Sequence, residues 1–165
     1  MSVITHPIPP VWDEDCTVLI LGSFPSVKSR EGMFFYHHRQ NRFWKTLAAV
    51  FDTPVPQSIE EKKAFVIRHR IALWDALEEC DISGASDSSI RNPIPTDIPR
   101  LLGKTRIRAV FATGATAYRY YRKYNYPRTE IEAIRLPSTS PANCAVSSEQ
   151  LIEAYRVIRD TLEKK

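Results

Sequence analysis

Four short apolar runs alternate along this chain with segments in which apolar residues return every third or fourth position. Thr17–Leu21 is continuous and apolar and reads as a strand buried on both faces. Arg70–Trp74, Arg108–Ala112 and Ile131–Leu136 are three further strand candidates. Between them lie helices. Phe43, Trp44, Leu47, Val50 and Phe51 form a one-face stripe behind Asn41, a candidate cap. Ser58-Ile-Glu-Glu61 and Ser147-Ser-Glu-Gln150 are capping boxes, and Leu151, Tyr155, Ile158 and Leu162 keep helical spacing after the second. Gly114–Tyr121 reads as a helix launched straight from the third strand. Strands alternating with helices need crossover connections. The pattern therefore predicts a three-layer α/β/α sandwich around a four-stranded parallel sheet, as one domain over residues 1–165.

Open sheets of this kind bind ligands beyond the C-terminal ends of their strands. There the chain places Gly22-Ser-Phe-Pro-Ser26 after the first strand, and Asp75 followed by the long Asp81–Pro95 stretch after the second. Thr113-Gly114 follows the third strand, and Pro137-Ser-Thr-Ser-Pro-Ala-Asn143 the fourth. The cluster Phe35-Tyr-His-His-Arg-Gln-Asn-Arg-Phe-Trp44 adds aromatic, histidine and arginine side chains. Small polar loops beside such a cluster describe a ligand crevice.

Composition narrows the class. The net charge of +4 permits an anionic partner without requiring one. Cys16, Cys80 and Cys144 are odd in number and widely spaced, so they predict reduced thiols and neither a metal site nor a four-cysteine iron–sulfur cluster. No window approaches the roughly 18 apolar residues of a membrane span. Met1–Pro10 has no basic and apolar leader pattern, which leaves a cytoplasmic location as the expectation.

Gly22-Ser-Phe-Pro-Ser26, Tyr36-x-His38-x-x-Asn41-Arg-Phe-Trp44 and Leu136-Pro-Ser-Thr-Ser140 resemble the signature regions of the uracil-DNA glycosylase superfamily. Asn41-Arg-Phe-Trp44 is similar to its mismatch-specific branch. Leu73-Trp-Asp75, Asp87-Ser-Ser-Ile90 and the Leu-Pro-Ser-Thr-Ser-Pro run are more similar to its hypoxanthine (deoxyinosine) branch. The resemblance runs in order from about Thr17 to Asn143. It implies an α/β/α enzyme that flips a deaminated base out of double-stranded DNA and hydrolyses its N-glycosidic bond. It also implies no metal or other cofactor; a monomer is expected, and with no lysine in the matching motifs no β-lyase step is expected. A mismatch-specific uracil or modified-pyrimidine glycosylase and an inactive DNA-binding homologue are the alternatives. Phe24 and Leu136 motivate the inactive reading and speak against a uracil enzyme of the usual design, because they stand where the wider superfamily carries polar catalytic groups.

The resemblance also distributes roles. Asn41 is the implied catalytic residue, holding water through its carbonyl and donating to the base through its amide; an ordinary helix cap is the competing reading. His38, and less so His37, is a donor for the departing base. Tyr36 is implied to stack on the flipped base, against a core role beside Phe34 and Phe35. Ser23, Phe24 and Asp75 complete base binding. Asp75 accepts the N1–H that adenine lacks, or else opens a capping box with Glu78. Pro25, Ser26, Arg42, Ser138, Thr139 and Ser140 are implied DNA contacts. Arg39, Lys28 and the basic-aromatic run Tyr118–Tyr124 are further sources of positive charge, the last reading more simply as a solvated helix face.

Overall fold

Val18–Gly22 is the strand around which the rest is arranged, and all five of its residues are buried. The computed structural model describes residues 2–83 and 87–164, with only the backbone described for Ser2 and Asp87. In chain order the strands are β1 (Ser2–Thr5), β2 (Val18–Gly22), β3 (Ile71–Asp75), β4 (Leu77–Ile82), β5 (Arg91–Pro95), β6 (Ala109–Thr113) and β7 (Ala133–Leu136). The helices are α1 (Val27–Gly32), α2 (Phe43–Val50), α3 (Ile59–Arg68), α4 (Ile98–Leu102), α5 (Ala115–Tyr124), α6 (Tyr126–Thr129) and α7 (Ser148–Glu163).

Four strands pair in parallel in the order β3-β2-β6-β7, as the alternation of strands and helices predicts. Successive side chains of a strand face opposite sides, and the two cores divide accordingly. Val18, Ile20, Ile71, Leu73 and Phe111 pack against Phe43, Trp44 and Leu47 of α2, Phe65 of α3, and Leu151, Tyr155 and Ile158 of α7. Leu19, Leu21, Ala72 and Val110 pack on the other face against Ile98 and Leu101 of α4 and Tyr121 of α5. The result is an α/β/α sandwich.

A second sheet, antiparallel in the order β1-β4-β5, was not foreseen. It encloses a smaller core of Phe24, Leu77, Cys80, Ile82 and Ile90. Its strands are poorly advertised: Leu77-Glu-Glu-Cys-Asp-Ile82 is acidic, and β5 carries Pro93 and Pro95. Proline fits there because β5 is an edge strand. Glu78 consequently lies in a strand, and the capping box expected for Asp75 and Glu78 does not form. The stretch expected as one long loop over Asp81–Pro95 is instead the end of β4, a shorter connection and the whole of β5; residues 84–86 of the connection lie outside the described residues.

After Asp75 the chain passes directly from one sheet into the other, with Ala76 N–H donating to the Gly22 carbonyl and Leu77 N–H to that of Ser23. Beyond β1 the N-terminal segment runs back across this junction. His6 N–H donates to the Glu78 carbonyl, and Val11 bridges Leu73. Residue 6 is thereby delivered to the C-terminal end of β3.

Among the described residues no helix is long and apolar enough to cross a membrane. Cys16 and Cys80 are buried, and none of the three cysteines is joined in a disulfide.

Candidate active site

The loops beyond the C-terminal ends of β2, β3, β6 and β7 enclose a cavity of about 730 Å³. Its floor is the Gly22–Asp75 pair, directly opposed at the ends of β2 and β3. A Cβ on residue 22 would come within 2.5 Å of Asp75 Oδ1, so glycine there leaves room for the carboxylate. Asp75 is buried, and His6 Nε2 lies 2.8 Å from its Oδ2.

Tyr36 forms one wall from a left-handed backbone conformation, φ 52°, that costs a bulky residue of order 1–3 kcal/mol. Two contacts hold it there. Its ring stacks on Phe43 at 3.7 Å between centroids and 8° between planes. Its hydroxyl donates to Thr113 Oγ1 at 3.1 Å, and Thr113 in turn donates to the Leu21 carbonyl. Phe43 covers one ring face, so only the opposite face can meet a base.

Asn41 and the loop after β7 form the facing wall. Asn41 Oδ1 accepts from Phe43 N–H at 2.9 Å and from the Thr139 hydroxyl at 2.8 Å. A backbone N–H can only donate, so the atom facing it is the carbonyl and the orientation of the amide is fixed. Both lone pairs of that oxygen are therefore committed. No described residue accepts from Asn41 Nδ2, which is left as a donor in a residue lining the cavity. The N-cap of α2 is Arg42, so the reading of Asn41 as the cap is corrected: its oxygen braces the turn that leads into the helix, and its nitrogen stays available. The expectation that the carbonyl holds water is corrected.

The β7 loop is knit from within. Arg42 donates to the Val146 and Asn143 carbonyls at 2.6 and 2.8 Å, and Asn143 Nδ2 to that of Ser138. Tyr155 of α7 donates to the Pro137 carbonyl. Ser138 Oγ accepts from Ser140 N–H, and Ser140 Oγ from Ala142 N–H. Thr139 is buried. Arg42 and Thr139 thus hold this loop and Asn41 in place, and their side chains are not presented as free phosphate ligands. Ser26 caps α1 by accepting from Ser29 N–H. Ser23, Phe24, Pro25, Ser26, Ser138 and Ser140 all line the cavity.

His38 lines it as well, and its Nδ1 accepts from Gln40 N–H, which puts its proton on Nε2 as a donor. His37 turns away: its ring lies against Gly32 and does not line the cavity. Leu136 belongs to the core. Asn92 donates to Asp81 and Ser89 to the Ser83 carbonyl, both outside the cavity, while the side chain of Asp87 lies outside the described residues. Along α5, Arg119 and Lys123 lie over the rings of Tyr120 and Tyr124, an amphipathic surface away from the cavity. Lys28 pairs with Glu31 on the surface. Sequence reasoning missed His6, and of Thr113 it noted only the position at a strand end. No motif marks the histidine.

Burial, followed by the nearby Asp75 charge, pushes the Tyr36 phenol well above its ordinary value. Burial likewise raises Tyr155 and Tyr121, and lifts the Cys16 thiol to about 11. All four stay protonated in the folded chain at pH values where the unfolded chain ionises. The stability they contribute is complete below the unfolded values of 9.0 and 10.0 and is lost as pH climbs through the folded ones. Urea unfolding at about pH 8 and pH 11 should show a clearly lower midpoint at the higher value, with a further gain in tyrosinate absorbance from Tyr36, Tyr121 and Tyr155 as the chain unfolds. Equal midpoints would contradict this.

The sequence profile of the Uracil DNA glycosylase superfamily matches residues 9–159. A hypoxanthine DNA glycosylase of Methanosarcina acetivorans is 30% identical over 162 residues, which is 95% of this chain and 99% of that protein. A hypoxanthine DNA glycosylase of Methanosarcina barkeri is 34% identical over 86 residues, about half of each chain. A solution NMR structure from Methanosarcina acetivorans, described provisionally as a uracil DNA glycosylase, superposes with a TM-score of 0.79 at 26% identity, covering 96% of this chain and 99% of that one.

Proposed function

The chain belongs to the uracil DNA glycosylase superfamily, and from that premise we propose that it is a base-excision DNA glycosylase whose preferred base is hypoxanthine. The observation carrying the choice of base is the pair of groups left uncommitted in the cavity. Asp75 offers a carboxylate oxygen that can only accept, and Asn41 an amide that can only donate. Deamination of adenine turns N1 from an acceptor into an N1–H donor and replaces the 6-amino group by an oxygen. An acceptor for N1–H beside a donor for O6 suits hypoxanthine and opposes adenine.

Flipping the base costs a few kcal/mol of stacking, least for a damaged pair. The free face of Tyr36 offsets part of it. In the chemical step the C1′–N9 bond breaks with its electron pair going to the base. Water then adds to the oxocarbenium carbon, and the proton it loses balances the one taken up by the departed base, which leaves an abasic site and neutral hypoxanthine. The Asp75 charge opposes build-up of charge on the base, and the Asn41 Nδ2–H and His38 Nε2–H donors counter it. With the Asn41 carbonyl committed, steering of water falls to backbone and hydroxyl groups of the two Ser-rich loops.

The test is cleavage of labelled duplexes carrying one inosine, uracil or xanthine, with alkali to cut abasic sites. Release from inosine above the others supports the proposal. A uracil preference favours the pyrimidine-directed alternative, and specific binding without abasic product the inactive one. Tyr36→Ala should weaken preference for inosine-containing over undamaged duplex by about 10- to 100-fold, the worth of one base–aromatic stack. Titration of both duplexes checks this, and equal loss on the two would remove Tyr36 from base contact.

A further inference from the structure

We propose that His6, delivered from the N-terminal strand and outside the cavity lining, is a positioning residue that aims the Asp75 carboxylate at the flipped base. This rests on the glycosylase reading above and assigns a group to it that no signature region contains. His6 Nδ1 accepts from Ile8 N–H at 3.1 Å, so the ring proton sits on Nε2, directed at Asp75 Oδ2 at 2.8 Å. Both side chains are nearly sealed from solvent, at 4% and 6% exposure, so no water competes for that contact. The ring lies edge-to-face with Phe24 at 5.8 Å and beside Phe35 at 6.0 Å, both of which line the cavity.

The main chain on each side is fixed as well. His6 N–H donates to the Glu78 carbonyl at 2.7 Å, directly after the β1–β4 pairing ends at Thr5–Glu79. The Asp75 carbonyl accepts from the buried Thr96 hydroxyl at 2.8 Å. One carboxylate oxygen is thus consumed from behind, and the other lies over Gly22, where the missing Cβ leaves it room. Choice of donor matters. A lysine or arginine there would cancel the negative charge, whereas a histidine whose second nitrogen already accepts a backbone proton leaves the charge on Asp75 while fixing its rotamer.

Two variants and one measurement on the unmodified protein test this. His6→Phe keeps the ring volume and removes the donor; His6→Gln keeps an N–H donor on a chain of similar reach. Single-turnover release from inosine-containing duplex should fall about 10- to 100-fold in His6→Phe, the loss of one hydrogen bond to a charged group. It should stay within about threefold of wild type in His6→Gln, with undamaged-duplex affinity equal in all three. Nitrogen-correlated NMR of the wild-type ring should show the proton on Nε2. A His6→Phe protein of unchanged rate, a His6→Gln protein as slow as His6→Phe, or a ring proton on Nδ1 would each overturn the proposal. Wild-type protein that releases no base from any duplex would overturn the glycosylase reading and this role together, an outcome distinct from the others.

Discussion

Replacing Asn41 by alanine should slow release of hypoxanthine by roughly 10²–10³-fold, the usual cost of removing one preorganised donor from a site where charge develops. The variant also loses the anchoring oxygen that meets Phe43 N–H and the Thr139 hydroxyl. A fall in rate alone would therefore not separate a catalytic group from a structural brace. Asn41→Asp separates them. It keeps an oxygen for both anchoring contacts and exchanges the uncommitted NH₂ for a second acceptor that carries negative charge. If the amide donates to the base, Asn41→Asp falls at least as far as Asn41→Ala while retaining wild-type stability. If Asn41 only braces the turn into α2, away from the reacting base, the aspartate variant keeps a rate near wild type, since its carboxylate accepts both anchoring contacts. Single-turnover rates with melting temperatures for the two variants decide between these results.

That division of labour within one side chain shows where sequence reasoning stops. The four parallel strands and the helices over them follow from periodicity, because burial on both faces leaves continuous apolar runs and burial on one face leaves stripes. The convergence of Gly22–Ser26, Asp75, Asn41 and Ser138–Ser140 follows from their places at or beside strand ends in such a sheet. The antiparallel sheet does not follow, since glutamates and an aspartate interrupt the apolar residues of its central strand β4, and β5 carries two prolines that only an edge tolerates. Residue type also misleads about partners. Arg42 and Thr139 have the chemistry of phosphate ligands, yet the fold uses them to tie a loop to the start of a helix. His6 lies 69 residues from Asp75 in sequence, and only the run of the N-terminal segment across two sheets brings them together.

Asp75→Asn is the most discriminating single substitution, because it exchanges one oxygen for an NH₂ and leaves the shape of the side chain unchanged. In the native site His6 Nε2–H faces an acceptor, and Ile8 N–H on Nδ1 prevents the ring from switching tautomer. An asparagine at position 75 must then turn its carbonyl toward His6 and its NH₂ toward the cavity. The N1–H of hypoxanthine would meet a donor where it needs an acceptor, leaving two buried N–H groups unpaired. Release from inosine should fall by at least roughly 10²-fold, on the scale by which hydrogen-bonding sites reject mismatched partners. Uracil, which presents an N3–H, should suffer alike. Rates within about threefold of wild type on both bases would take Asp75 out of the recognition edge. Combining Asp75→Asn with His6→Phe frees the amide to rotate and present its oxygen to the base. The double variant should therefore recover part of the rate lost in Asp75→Asn alone. That gain arises only if the histidine dictates which atom of residue 75 faces the substrate; two independent losses would instead multiply.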